Sequence, residues 1–206
     1  MNQSEIVRHY DRLAELGDDP VHDPDILREH MNKWDGPRFI DSMELDKSKT
    51  VLEIGVGSGR LAVRVAPRCK RFTGIDLSAR TVALAQKNLA AFCNVRLICG
   101  DFCTYVFDSR YDVIYSSLTF MHIEEKSEAV RKAAKLLADG GRLVLSLDKS
   151  RNRVIDIGES KITVYPDDPE AVASYIADAG LSMLDRYETE FAHILVSWKK
   201  SDQKII

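Results

Sequence analysis

The sequence predicts an α/β fold built on a mostly parallel, doubly wound sheet. Three observations carry this. From Thr50 onward, strand-like apolar segments alternate with helical ones. The first of these strands runs directly into a glycine-rich turn, Gly55-Val56-Gly57-Ser58-Gly59. The last two strand-like segments, Leu181 to Glu190 and Phe191 to Lys199, are joined too closely for a crossover and must pair antiparallel.

The elements follow in order. Thr50 to Ile54 reads as a strand ending at the glycines, and Ser58 to Val65 as a helix stopped by Pro67. Arg71 to Asp76 is a second strand, after which Ser78 can cap a helix running to about Ala91. Val95 to Cys99 is a third strand. Tyr111 to Ser116 is a fourth, apolar enough to be covered on both faces. Glu125 to Leu137 reads as a helix stopped by Gly140-Gly141, and Arg142 to Leu147 as the fifth strand. Val154 to Tyr165 reads as a hairpin turning at Gly158-Glu159-Ser160. Asp168-Pro169 opens a helix that ends at Gly180. Before the sheet, Ser4 to Leu16 and Pro24 to Lys33 are helical, with the acidic turn Gly17-Asp18-Asp19-Pro20 between them. Residues 1–49 are too few to bury a core of their own, so a cap on the 50–206 sheet region is expected within one domain.

Composition narrows the function classes. With 45% apolar and 30% charged residues, the 206-residue chain has the balance of an ordinary soluble protein. A net charge of -3 supplies no global basic field for nucleic acid or an anionic membrane. The start lacks a basic n-region and an apolar h-region, and no apolar run approaches a membrane span. A cytoplasmic enzyme is the expectation. None of Cys69, Cys93, Cys99 and Cys103 forms a Cys-x-x-Cys pair, so small buried hydrophobes are expected rather than a metal or redox site.

The glycine turn is the sharpest feature. Glycines after a first strand allow a tight turn and let a ligand approach the main chain. Counted from Gly55, the last glycine of a dinucleotide fingerprint would fall on Arg60; counted from Gly57, it falls on Ala62, an accepted variant. The glycines alone therefore admit a nicotinamide cofactor. Glu53, just before them, would repel a pyrophosphate and suits a cationic amino-acid cofactor better. Asp76, at the end of the second strand, can accept hydrogen bonds from ribose hydroxyls in either class. Asp101 can accept from an exocyclic amine and Phe102 can pack on an adenine face, although Gly100-Asp101 would also serve an ordinary turn.

These segments resemble the class I S-adenosylmethionine-dependent methyltransferases. Glu53, Gly55, Gly57 and Gly59 match the family's first motif, Phe72 to Ser78 the ribose segment, and Cys99 to Phe102 the adenine segment. Tyr111 to Ile123 resembles its fourth-strand motif, Leu136 to Leu143 its turn into the fifth strand, and Tyr10 to Ala14 the first helix of its small-molecule members. The resemblance implies a Rossmann-like seven-stranded sheet in the order 3-2-1-4-5-7-6, with strand 7 antiparallel. It also implies S-adenosyl-L-methionine as cofactor, held by Tyr10, Glu53, Gly55, Val56, Gly57, Gly59, Asp76, Leu77, Asp101, Phe102, Ser117 and Leu118.

Methyl transfer from a sulfonium is an in-line displacement, so alignment carries much of the catalysis. A base is needed only for an acceptor that must lose a proton. His122, past the fourth strand, is the candidate, since histidine titrates near neutral pH. Trp34 and Phe39 either cover the ligands or, more simply, pack the cap onto the sheet. The fourth strand ends Tyr115-Ser116-Ser117-Leu118, without the Asn/Asp-Pro-Pro-Tyr type of segment found in amino-methyltransferases of nucleic-acid bases. A small-molecule acceptor is expected, with no metal, nucleic acid or membrane. A nicotinamide oxidoreductase and a non-catalytic binding module on the same fold are the alternatives.

Overall fold

The computed structural model describes residues 3–156, 158 and 161–201. Helices α1 (Gln3–Glu15) and α2 (Asp25–Asp35) precede the sheet. Then come β1 (Thr50–Ile54), α3 (Ala62–Val65), β2 (Arg71–Asp76), α4 (Ala79–Asn88), β3 (Val95–Cys99) and β4 (Tyr111–Ser117). The chain continues through α5 (Lys126–Leu136), β5 (Leu137–Asp148), β6 (Val154–Asp156), β7 (Lys161–Thr163), α6 (Pro169–Asp178), β8 (Leu181–Glu188) and β9 (Ala192–Lys199).

The seven-stranded sheet has the order β3-β2-β1-β4-β5-β9-β8. The pairs among β1 to β5 are parallel, and β9 runs antiparallel to both β5 and β8. The strands β6 and β7 pair antiparallel outside this sheet. This is the Rossmann-like order that the sequence resemblance implied. Alternation along the strands builds two apolar layers. Leu52, Ile54 and Ile114 face one, with α5 and α6 residues such as Val130 and Ile176. Val51, Val113 and Tyr115 face the other, joined by Phe39, Ile40 and Met43 from before the sheet.

Local side chains set several boundaries. Ser78 caps α4 by accepting from the Thr81 amide at 3.0 Å, and Asp168 caps α6 by accepting from Glu170 and Ala171. Three expectations need correction. The predicted Ser58 to Val65 helix is only the four residues Ala62–Val65, followed by a 3-10 turn, Ala66–Arg68, that contains Pro67. The cause is the turn itself: Gly57 and Gly59 have φ of +56° and +99°, so a right-handed helix cannot begin before them. Gly140 and Gly141 do not stop α5, which ends at Leu136. They lie inside β5, where Gly140 (φ +75°) reshapes a strand that starts well before Arg142. Finally, only Cys69 is buried; Cys93 and Cys99 are exposed. Of the expected hairpin turn, Gly158 is described, while Glu159 and Ser160 lie outside the described residues.

The segment before the sheet is fastened at several points. Asp11 accepts from the Ser78 hydroxyl at 2.6 Å, and Asp19 accepts from the Asn88 amide at 3.0 and 3.1 Å. The Trp34 carbonyl accepts from Ser146 Oγ at 2.8 Å. Phe39 is fully buried against Tyr115, with ring centroids 6.2 Å apart, so its role is packing. No helix among the described residues is long and apolar enough to cross a membrane.

Candidate active site

The carboxyl ends of β1 to β4 converge on one cavity of about 300 Å³, roofed by α1. Open α/β sheets place ligands at this edge, where the strand order reverses. Here the reversal falls between β1 and β4. The cavity is lined by Tyr10, Glu53, Gly55, Val56, Gly57, Asp76, Leu77, Asp101, Phe102, Ser117, Leu118 and His122. Of the predicted site residues, only Gly59 is missing from its wall. A Cβ there would make only ordinary contact with Leu89, at 3.4 Å, so the demand for glycine at 59 comes from its φ of +99° in the turn.

The two other motif glycines differ in kind. A Cβ on Gly55 would fall 2.0–2.8 Å from the Thr119 side chain, so this glycine lets two loops touch. A Cβ on Gly57 would meet nothing within 4 Å and would stand in open space. The Gly57 amide donates to Asp76 Oδ2 at 2.9 Å, and the Ser78 amide donates to Asp76 Oδ1 at 3.0 Å. Burial raises the Asp76 carboxyl, and the hydrogen bonds from Ser78 and Gly57 oppose that rise. Asp101 Oδ1 accepts from the Cys103 amide at 2.8 Å and Oδ2 from Thr104 Oγ1 at 3.1 Å, so it forms the turn as well as lining the cavity. Phe102 is buried beside it.

Glu53 is 3% exposed and accepts from the Tyr115 hydroxyl at 2.7 Å. Burial pushes its carboxyl up to about 8, against the hydrogen bond from Tyr115 and the charge of Arg60. The standing negative charge expected from the sequence is thus mostly neutral at pH 7, and an approaching cation would favour its ionisation. A stability effect follows. An unfolded glutamate, near 4.5, has released its proton at pH values where the folded one still holds it. Stability therefore falls as pH rises between those two values and levels off above about 8. Between about pH 6 and pH 8 the expected fall is about 2 kcal/mol, and Glu53→Gln is expected to remove it. Urea unfolding across that range checks this; the same slope in both proteins would mean that Glu53 ionises in the ordinary carboxylate range.

His122 sits on the 3-10 turn Phe120–His122 and is 8% exposed. Its Nε2 lies 2.7 Å from the Tyr10 hydroxyl and shares a hydrogen bond with it, the donor being set by the ring's tautomer. Burial first, then the charges of His9 and Lys126, pushes the imidazole down to about 4. Burial thus draws His122 below the near-neutral range of a free imidazole and favours its neutral form.

Sequence reasoning missed a buried charge network under the turn. Asp35, at the end of α2, pairs with Arg60 at 2.5 Å and accepts a hydrogen bond from Ser117 Oγ. Arg60 and Ser117 both line the cavity. No local pattern marks Asp35, because its partners lie far along the chain. Asp18, from the acidic turn, and Ile6 and Met31 also reach the wall. Trp34 lies outside this cavity and packs at a tilt against Phe191, with centroids 4.8 Å apart.

The site fits an adenosyl amino acid. Asp76 offers a carboxylate at the end of β2, Glu53 and Arg60 a polar wall, and Phe102 an apolar face. The space over Gly57 is open, and the buried Ser58 Oγ has no hydrogen-bond partner among the described residues. No group of three or more His, Cys, Asp or Glu placed to hold a metal occurs among the described residues.

Comparison with known proteins agrees. Residues 51–141 match a family described as methyltransferase domain. An uncharacterized methyltransferase of Bacillus licheniformis is 30% identical over 154 residues, covering 72% of this chain and 70% of that protein. Among solved structures, magnesium protoporphyrin IX methyltransferase from Synechocystis PCC 6803, with bound SAM, superposes with a TM-score of 0.73 at 20% identity, covering 97% of this chain and 98% of that one. The N-methyltransferase NodS of Bradyrhizobium japonicum WM9, in complex with S-adenosyl-L-homocysteine, gives 0.69 at 20% identity, covering 94% and 97%. The structural likenesses establish the fold, and the sequence relative establishes the family. The chain belongs to the class I S-adenosylmethionine-dependent methyltransferases.

Proposed function

We propose that the chain works as one domain that methylates a small molecule, with residues 3–49 forming a lid over the cavity. The observation that carries this is the 2.7 Å hydrogen bond between Tyr10 and His122, which draws α1 across the strand ends. When bound, the cofactor supplies a methyl group made electrophilic by its sulfonium. The protein's part is to bind, orient and exclude water. Asp76 accepts from ribose hydroxyls. Phe102 and Leu77 flank the adenine, with Asp101 at its edge. Gly55, Val56 and Gly57 present backbone to the cofactor. Glu53 and Arg60, the latter held by Asp35 behind it, form the polar floor for its amino-acid end, beside Ser117 and Leu118. Ile6 and Tyr10 close the roof. His122 anchors Tyr10 through Nε2, and proximity rather than strong base catalysis drives the transfer. The enclosure under α1 favours an acceptor that enters whole over a nucleic-acid strand.

Calorimetry and hydrogen exchange test this together. S-adenosylhomocysteine is expected to bind and NAD not to bind. Bound S-adenosylhomocysteine is expected to slow exchange across residues 3–40 by roughly tenfold or more, because a lid must open to admit its ligand. Binding without added protection of those residues would reduce the segment to a static cap. Preferential binding of NAD would overturn the site assignment.

A further inference from the structure

A second cavity, of about 700 Å³, adjoins the first. Leu118 and Met121 line both, so the two spaces share a wall. That wall holds local strain: Leu118 has φ of +56°, a conformation rarely adopted by non-glycine residues and concentrated at functional sites. The second cavity is bounded by α2, by the end of β5, by β6 and the segment after β7, and by the turn before β9.

Its lining is mainly apolar, with a cluster of rings on one side. Trp34 lies 4.8 Å from Phe191 and 5.5 Å from His30, centroid to centroid. One carboxylate stands beside these rings. Asp148 Oδ1 accepts from Trp34 Nε1 at 3.3 Å and from the Ser150 amide at 3.0 Å. The other charges on the wall are already paired. Lys149 Nζ is 2.8 Å from Glu188 and donates to the Thr189 carbonyl at 2.7 Å, while Asp156 pairs with Lys161 at 2.8 Å. Among the described residues, Asp148 is in no ion pair. An uncompensated carboxylate beside aromatic faces attracts a cation by charge and by the ring quadrupole. Apolar walls add area for a hydrophobic body.

We propose that this second cavity is the acceptor site, and that it selects a small molecule with an apolar or aromatic body and a protonated amine held at Asp148. The assignment rests on the first cavity being the cofactor's. Asp148 fixes the acceptor's orientation, and the end that passes Leu118 and Met121 meets the methyl group.

The probes are phenethylamine and 3-phenylpropionate, which share a ring and a short chain but carry opposite charge. Trp198→Phe leaves Trp34 as the single tryptophan, because the chain has 2. Its fluorescence then reads the second cavity in the intact protein, with and without saturating S-adenosylhomocysteine. Phenethylamine is expected to bind saturably and no more weakly in the presence of S-adenosylhomocysteine. It is expected to bind roughly tenfold or more tightly than 3-phenylpropionate and to weaken by a similar factor in Asp148→Asn. That substitution keeps an oxygen to accept from Trp34 and Ser150, so the local fold is preserved. Equal binding of the two probes, no binding of phenethylamine, no effect of Asp148→Asn, or competition with S-adenosylhomocysteine would each overturn the proposal. S-adenosylhomocysteine is titrated alone in the same protein. Its failure to bind would remove the cofactor reading, whereas its binding beside a contrary probe result removes only the acceptor assignment.

Discussion

Gly57→Val is expected to abolish S-adenosylhomocysteine binding, by more than about a hundredfold, in a protein that still folds. A Cβ at this position meets no protein atom within 4 Å, so the new side chain projects into the cavity and not into the core. The cost to folding is the backbone strain of a β-branched residue at φ +56°, about 1–3 kcal/mol. The cost to binding is larger, because the methyl groups occupy space that the ligand needs. Gly55→Ala is the instructive contrast. Its Cβ would fall as close as 2.0 Å to the Thr119 side chain, so the damage reaches the loop after β4 and the folded state itself. Circular dichroism and calorimetry on the two variants separate blocked binding from impaired folding. A folded Gly57→Val protein that binds normally would show that the ligand does not pass this turn.

The second large effect is expected at Lys126. Its ammonium is buried and donates to the carbonyls of Phe120, Ile123 and Tyr165 at 2.6, 2.9 and 2.9 Å. It also pairs at 3.0 Å with Asp167, whose side chain is 1% exposed and accepts from the Asp148 amide. This one cation ties the turn carrying His122 to the chain beyond β7. Lys126→Met leaves a buried carboxylate and three carbonyls without their donor, a loss of about 3–5 kcal/mol. At about 2–4 °C per kcal/mol for a chain of this size, melting should fall by roughly 6–20 °C. Adding Asp167→Asn removes the stranded charge while keeping an acceptor for the Asp148 amide, so the double variant should recover part of the loss. Thermal and urea unfolding of the three proteins decide this. An unchanged midpoint in Lys126→Met would mean that water replaces the ammonium without cost.

What the sequence showed and what it concealed divide along physical lines. The first four strands were legible because each is a short run rich in apolar residues closed by a glycine, an aspartate or a turn. Val95–Cys99 in the structure has the bounds that the pattern suggested. The site positions at strand ends were legible for the same reason, since Glu53, Asp76 and Asp101 each sit where a run stops. The length of α3 was not legible, because apolar spacing cannot report that Gly57 and Gly59 hold positive φ. The Asp35–Arg60 pair was hidden because it is made by tertiary packing across the cap. The burial of His122 was not legible either, because residue type gives an intrinsic pKa while tertiary packing supplies the desolvation that lowers it. Gly59 lies off the cavity wall, and what the motif specifies there is the positive φ of the turn.

The segment before the sheet has two unequal parts. Phe39, Ile40 and Met43 are sealed into one of the two apolar layers, whereas among the described residues α1 buries only Ile6 and His9 and holds on largely through polar contacts such as Asp11 to Ser78. On the proposal that this segment closes over the cavity, α1 is the part that would move and the later residues are its fixed base. A chimera that exchanges α1 with a relative's, joined in the acidic turn, would leave Asp35 and the layer beneath the sheet intact. If α1 is that moving part, selectivity could drift through exchange of one helix while the packed base beneath the sheet stays unchanged.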